Sequence, residues 1–486
     1  MAHDQQTAPV ITTTPAFVVH RHKLVLVGPA GPTPRETKRL SDIDDQETLR
    51  GYLPFVHFYR RGTGAHADDD RNDPADVIRR ALGEALVPYY PLAGRLREVE
   101  GRKLVVECTG EGVAFVEADA DVRLAGLEAA GPLMPPFPWI DQLLCDVDRS
   151  SGVLNCPLLF IQVTRLLCGG FVLALHINHN ISDGIGLGHF LSAVAELARG
   201  LPAPTTAPPP WSRELLEARV PPRPAFPHRV YDASPIPPPP PPPGDMVVRT
   251  FTFARRDVAA IKARLLTHLH GTATTFEALT AALWRARTAE RELSPREEVR
   301  LVCIVGFRGI RELGIPAGFY GNAGVPSAVL TTAGELQASS LGDTVEMVRE
   351  AKAAVTAEYV RSTIDLLVLR GRPSMPATAN FFVVSDNRHL GLHRVDLGWG
   401  MPVYGGIATV GFGGIFLVAV MDGDGEDAVA VPVMLPRPAM DRFATELEKM
   451  VAPSLVVDPA PAMPPAHIHT DRGYTQHRRP WYKQIV

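Results

Sequence analysis

Cysteine is scarce in this 486-residue chain: five residues, Cys108, Cys145, Cys156, Cys168 and Cys303, with no CxxC spacing. An odd, scattered set indicates neither a disulfide scaffold nor a zinc site, and it suits a reducing compartment. Excess charge of either sign is also missing. Lys+Arg total 49 against Asp+Glu 53, a net charge of -4, whereas nucleic-acid binding needs concentrated positive charge. No apolar run suits a bilayer, because Pro157–Ile177 is broken by Gln162, Thr164, Arg165 and Gly169-Gly170 and a span takes about 20 uninterrupted apolar residues. The first cation is Arg21, the first serine is Ser41, and the last three residues are Gln484-Ile485-Val486. These match no secretory, plastid or peroxisomal signal. A cytoplasmic protein with no nucleic-acid, membrane or metal partner is expected.

What is present reads as globular. Hydrophobic residues make up 45% and charged residues 21%, and the length suits two or three domains of roughly 100–200 residues. A proline-rich middle, with Pro208-Pro209-Pro210 and the run Pro237 to Pro243, lacks backbone donors and must run extended, either as an interdomain strap or as a surface insertion. Residues 1–200 and 248–455 are therefore expected as two lobes, with 201–247 as the crossover and 456–486 as a disordered tail. Helical spacing predicts helices near Ala75–Leu86, Leu187–Leu197, Thr275–Arg287 and Thr344–Ala357. Strands are predicted at Lys103–Glu107, Pro157–Leu166, Phe171–His179, Val247–Phe253, Arg300–Val305, Ala379–Val384 and Ile415–Val420. The class is α/β with mixed sheets.

The sharpest local feature is His176-Ile177-Asn178-His179-Asn180-Ile181-Ser182-Asp183-Gly184. A strand ending at His179 puts an imidazole at the mouth of a sheet, and neutral imidazole (ordinary pKa ~6.5) serves as a general base. Asp183 either orients that ring or locks the loop by pairing with an arginine. His176 and His179 project to opposite faces of a strand and form no metal pair. In Asp396-Leu397-Gly398-Trp399-Gly400 the glycines permit a sharp turn. The Trp399 indole N–H either donates to a polar group in an occluded site or belongs to a buried structural turn. Further fragments are Leu40-Ser41-Asp42-Ile43-Asp44, Tyr90–Leu96, Gly318-Phe319-Tyr320-Gly321-Asn322-Ala323 and Val384-Ser385-Asp386. Each alone reads as turn or packing chemistry.

In this order and spacing the set resembles the plant BAHD acyltransferases, which move acyl groups from coenzyme A thioesters to alcohols or amines. The likeness runs from Val18 to Glu448. The stretch from Thr33-Pro34-Arg35-Glu36-Thr37-Lys38 onward, with Cys156–Thr164, looks like the benzyl alcohol O-benzoyltransferase branch. The resemblance implies two similar-sized chloramphenicol acetyltransferase-like domains with a channel between them. It implies His179 as general base, Asp183 paired with Arg308, and Trp399 as a possible oxyanion donor. Gly184, Asp396, Gly398 and Gly400 become motif residues, and Ser385, Asp386 and Arg388 become acyl-CoA contacts. No cofactor is implied; acyl-CoA is the co-substrate of a monomer.

This sequence departs from the family pattern at Leu397, where phenylalanine is usual, at Asn180-Ile181-Ser182, and at Gly184, where alanine is frequent. The latter two departures are expected to alter pocket shape. Competing readings are an N-acyltransferase for an amine or polyamine, a peptide-synthetase condensation domain, which would want a second His where Asn178 stands, and a non-catalytic binder that kept the fold.

Overall fold

A computed structural model describes residues 16–61, 73–145, 152–205, 209–232, 246–375, 380–411, 414–421 and 425–451. The proline run Pro237 to Pro243 and the tail 456–486 lie outside the described residues. Sixteen strands form three sheets among them. In the first half these are β1 (Val19–Arg21), β2 (Val25–Val27), β3 (Thr37–Arg39), β4 (Tyr52–Tyr59), β5 (Arg95–Glu98), β6 (Leu104–Glu107), β7 (Val113–Ala120), β8 (Leu159–Leu166) and β9 (Phe171–Asn178). In the second half they are β10 (Met246–Ala254), β11 (Glu298–Gly306), β12 (Gly324–Thr332), β13 (Phe381–Asp386), β14 (Tyr404–Ile407), β15 (Gly414–Met421) and β16 (Asp427–Pro436).

The first large sheet runs β1-β7-β8-β9-β4-β14, with β2 also on β7; the second runs β10-β16-β15-β13-β11-β12. Both are mixed: β7–β8, β11–β13 and β13–β15 are parallel, and the remaining pairs in the two sheets are antiparallel. Each sheet carries its own apolar core, as the expected two-lobed α/β architecture requires.

One boundary needs correction. Strand β14 comes from the second half of the chain but pairs with β4 in the first sheet, Ile407 opposite Phe55. Leu392, Val395, Leu397, Trp399, Tyr404 and Val410 belong to the first lobe's core. Residues near 392–410 thus leave the 248–455 lobe, because β4 would otherwise be an open sheet edge and β14 closes it.

Local chemistry explains the helices that pack against the sheets. Helix Pro74–Ala85 starts with a proline, and Asp73 caps it by accepting from the Ala75 amide at 3.0 Å. Its Val77, Ile78, Ala81, Leu82 and Ala85 are buried on one stripe. Helix Thr275–Glu290 opens on a reciprocal box between Thr274 and Glu277. Helix Ala357–Leu369, absent from the sequence-based expectation, receives the crossover. Arg219 pairs with its Asp365 at 2.7 Å, and its Ser362 hydroxyl accepts the Ala225 amide at 2.8 Å. The described crossover stretch 209–232 is therefore docked at several points rather than merely strung between lobes.

Candidate active site

Strand β9 is buried on both faces, as a strand between two others beneath helices must be. Its ladder with β4 continues one step past the strand end, where the His179 amide donates to Gly51 O at 2.9 Å. The chain then turns: Asn178 Oδ1 accepts the Asn180 amide at 3.0 Å and Asn178 O accepts the Ile181 amide at 3.2 Å. That turn leaves the imidazole deep in the protein with one side open to a cavity of about 440 Å³. Walls come from both lobes, with Leu53, Phe55 and Ile407 on one side and Val325, Val383 and Phe416 on the other. The volume lies in the range of small-molecule sites.

The His179 Nδ1 lies 3.3 Å from the Ser182 carbonyl oxygen. A carbonyl only accepts, so Nδ1 carries the proton and the Nε2 lone pair is left for chemistry. Burial lowers the ring's pKa below 6.5, and the Asp183 charge offsets only part of that. Burial thus favours the neutral imidazole near neutral pH.

Asp183 turns away from the ring. One oxygen accepts the Gly186 amide at 2.9 Å, capping helix Gly184–Ala198, and pairs with Arg308 at 2.8 Å; the other accepts the Ala323 amide at 3.1 Å. Of the two roles left open by the sequence, this geometry is that of a loop lock between lobes. Arg308 also donates to Gly321 O at 2.6 Å.

The departures from the family pattern fall mostly outside the cavity. Asn180, Ile181 and Ser182 are buried and do not line it, and Leu397 is sealed in the first core. Only Gly184 lines the wall; a Cβ there would meet Leu390 Cδ1 at 2.6 Å. The expectation that the motif interior reshapes the pocket is corrected accordingly: those three side chains point into packed protein.

Trp399 requires a larger correction. Its indole packs edge-on against Phe171, ring centroids 5.2 Å apart. Phe171 opens β9 and His179 follows its end, so the two sites are separated by eight residues of strand, roughly 26 Å. Trp399 is not part of the cavity wall, and an oxyanion formed beside His179 is beyond its reach. The surrounding turn is structural. Asp396 Oδ1 accepts the amides of Gly398 and Gly400 at 2.8 and 2.9 Å, and both glycines hold positive φ.

Ser385 and Asp386 line the cavity, but Arg388 does not; it grips Asp386 through two hydrogen bonds of 2.8 and 2.6 Å. Asp183 and Asp386 are the acidic residues of the described wall, and each is paired with an arginine. Thr409 and Tyr231 also stand on the wall, outside the motifs legible in the sequence, and Asp44 and Asn322 lie in fragments that alone read as turn or packing chemistry. Only Thr409, set between Ile407-Ala408 and Val410, carries a local signal, a polar residue inside an apolar fragment. Among the described residues no His/Cys/Asp/Glu group is arranged to hold a metal, and no helix is long and apolar enough to cross a membrane.

Two lobes meeting over a strand-end His, with Asp183 bound to Arg308, define an acyltransferase of the two-domain kind. The chain belongs to the Transferase family, the BAHD acyltransferases, whose model matches residues 17–450. It is 47% identical over 441 residues to the benzyl alcohol O-benzoyltransferase of Petunia hybrida, covering 90% of this chain and 94% of that one. Identity is 45% to the (Z)-3-hexen-1-ol acetyltransferase of Arabidopsis thaliana, covering 92% and 98%. The fold is similar to vinorine synthase, with a TM-score of 0.68 at 20% identity over 89% of this chain and 98% of that one. It is also similar to F. sporotrichioides TRI101 complexed with coenzyme A and T-2, with a TM-score of 0.63 at 16% identity over 84% and 97%.

Proposed function

We propose that this enzyme transfers an acyl group, benzoyl or acetyl, from coenzyme A to the hydroxyl of a small alcohol such as benzyl alcohol. The observation that carries the proposal is the His179 imidazole, its Nδ1 turned to the Ser182 carbonyl, facing a largely apolar cavity walled by both lobes. The names of its relatives support alcohol acceptors, and the differing acyl groups in those names keep both donors open. An amine acceptor would arrive as a cation and call for a free carboxylate. The two carboxylates of the described wall are already neutralised by Arg308 and Arg388, which favours a hydroxyl.

Donor and acceptor are held together, so that one cavity supplies the entropic part of the acceleration. His179 Nε2 takes the hydroxyl proton as the oxygen attacks the thioester carbonyl. The tetrahedral oxyanion collapses by breaking the C–S bond, and the imidazolium gives its proton to the departing sulfur, which restores the neutral ring. Ester and free coenzyme A are the products. The test is thiol release by the purified protein across several acyl-CoAs with matched alcohols and amines. Release with alcohols supports the proposal; release with amines alone, or none at all, contradicts it.

The oxyanion requires a donor, and Trp399 is too far away. Thr409 lines the cavity. The Ala408 amide bonds Pro54 O, which carries the β14–β4 register one step further and sets Thr409 opposite Leu53. Leu53 in turn lies opposite Ile177. Thr409 and His179 thus share one sheet face at about 12 Å between Cα atoms, room for a carbonyl between two side chains. Thr409→Val is expected to lower kcat about 10–100-fold and Trp399→Phe to leave it near wild type. Steady-state kcat for the two variants checks this pair, and the opposite ranking would reinstate the indole.

A further inference from the structure

Three stretches far apart in sequence converge behind the His179 turn. Asp44 is fully buried. One of its oxygens accepts from the Ser41 hydroxyl and from Arg213 Nη1, both at 2.6 Å; the other accepts from the Asn322 amide at 2.9 Å and from Asn322 Nδ2 at 2.8 Å. Arg213 comes from the crossover, is 1% exposed, and is stacked among Trp211, Phe319 and Tyr320 at 4.7, 5.1 and 4.9 Å from their ring centroids. An alanine Cβ at Gly321 would collide with its guanidinium, so the cation sits in a close-fitting aromatic slot.

This cluster reaches each residue of the turn. Asn322 Nδ2 donates to His179 O at 2.8 Å, Asn180 Nδ2 donates to Asp44 O at 2.6 Å, and Arg213 Nη2 donates to Ile181 O at 2.8 Å. The next carbonyl, that of Ser182, accepts the ring N–H. Arg213 and Asp44 stay clear of the cavity wall, whereas Asn322 lines it. Substrate binding therefore has no direct need of the first two. The turn of three residues is thus held at three points, two by the buried Arg213–Asp44 pair and one by Asn322, and this fixes both the place of the imidazole and the acceptor for its Nδ1 proton.

We propose that Arg213, Asp44 and Asn322 are positioning residues for His179, so that the interlobe crossover is a working part of the catalytic centre. This rests on the reading of His179 as general base. A misplacement near 1 Å at a reacting group costs about 100-fold, so loosening the turn should act on kcat rather than on binding.

The experiment uses the full-length enzyme with Asn322→Ala, Arg213→Lys and Arg213→Met, measuring kcat, KM for both substrates, and the ¹³Cε1 resonance of His179, assigned by its loss in His179→Ala. Asn322→Ala is expected to keep a cooperative melt, to lose about 10–100-fold in kcat, and to hold both KM values within about threefold. Its His179 resonance should broaden or shift. Arg213→Lys keeps the charge but lacks the fork that spans Asp44 and Ile181 O, so it should retain more kcat than Arg213→Met. If Arg213→Met does not fold, the other two variants carry the test. Wild-type kcat in Asn322→Ala and Arg213→Lys, or a loss of activity with the His179 resonance unmoved, overturns the proposal. The resonance needs no turnover. If the wild-type enzyme released no thiol from any acyl-CoA, the functional reading would fall, while the ring signal would still report whether the cluster holds the imidazole.

Discussion

His179→Ala is expected to reduce kcat by at least about 100-fold and to leave the fold intact, because general-base assistance supplies roughly 10²–10⁴ in rate. The physical basis is the division of labour around that residue. Its backbone is held by Gly51 and Asn322, and an alanine keeps both bonds. Its ring makes one 3.3 Å bond to Ser182 O and faces the cavity on one side, so its removal enlarges an existing space and breaks no network. Thiol-release kinetics together with a thermal melt check both halves. A variant retaining near-wild-type kcat would take the imidazole out of the reaction.

The second large effect is on stability. Asp183→Ala removes a helix cap, worth about 1 kcal/mol, and strands Arg308 between the lobes. Breaking a buried pair by deleting one partner costs about 3–5 kcal/mol; both side chains here keep 19% exposure, so solvent screening brings the pair nearer to 2 kcal/mol. A total loss of about 3 kcal/mol is expected by denaturant titration. Asp183→Asn, which keeps a capping oxygen but loses the charge, should fall between. Activity should decline with stability in both, since the lock also sets the spacing of the cavity walls. An unfolding free energy for Asp183→Ala within about 0.5 kcal/mol of wild type would remove the lock from the account.

The contrast between these two residues shows what the sequence can and cannot carry. A strand ending in His followed by Asp-Gly is local information: the period of two, the turn and the cap are written within His176–Gly184, and the structure has the strand, turn and helix where the pattern puts them. The helices Pro74–Ala85 and Thr275–Glu290 are legible for the same reason, an apolar spacing bounded by a cap. Trp399 was legible as a sharp glycine-flanked turn. Its distance from the imidazole was not, because that distance is set by β14 joining β4 across some 350 residues of chain and no local pattern encodes such a pairing. Strand β4 itself is buried through most of its length, so it shows no alternation to read. The cluster of Asp44, Arg213 and Asn322 was hidden likewise: the fragments of Asp44 and Asn322 read as turn or packing chemistry and Arg213 stands in the crossover, until long-range packing brings the three together.

Titration of the His179 ring tests the central claim most directly. Its ¹³Cε1 resonance should be followed against pH alongside kcat/KM of the wild-type enzyme. A base must be neutral to act, so lowering its pKa moves the acidic loss of activity to lower pH. Burial holds this pKa below 6.5, so the acid limb of kcat/KM should have its midpoint below that value and coincide with the ring's own titration, with activity level through neutrality. A limb centred above 6.5, or a ring that titrates without any matching change in kcat/KM, would contradict the account.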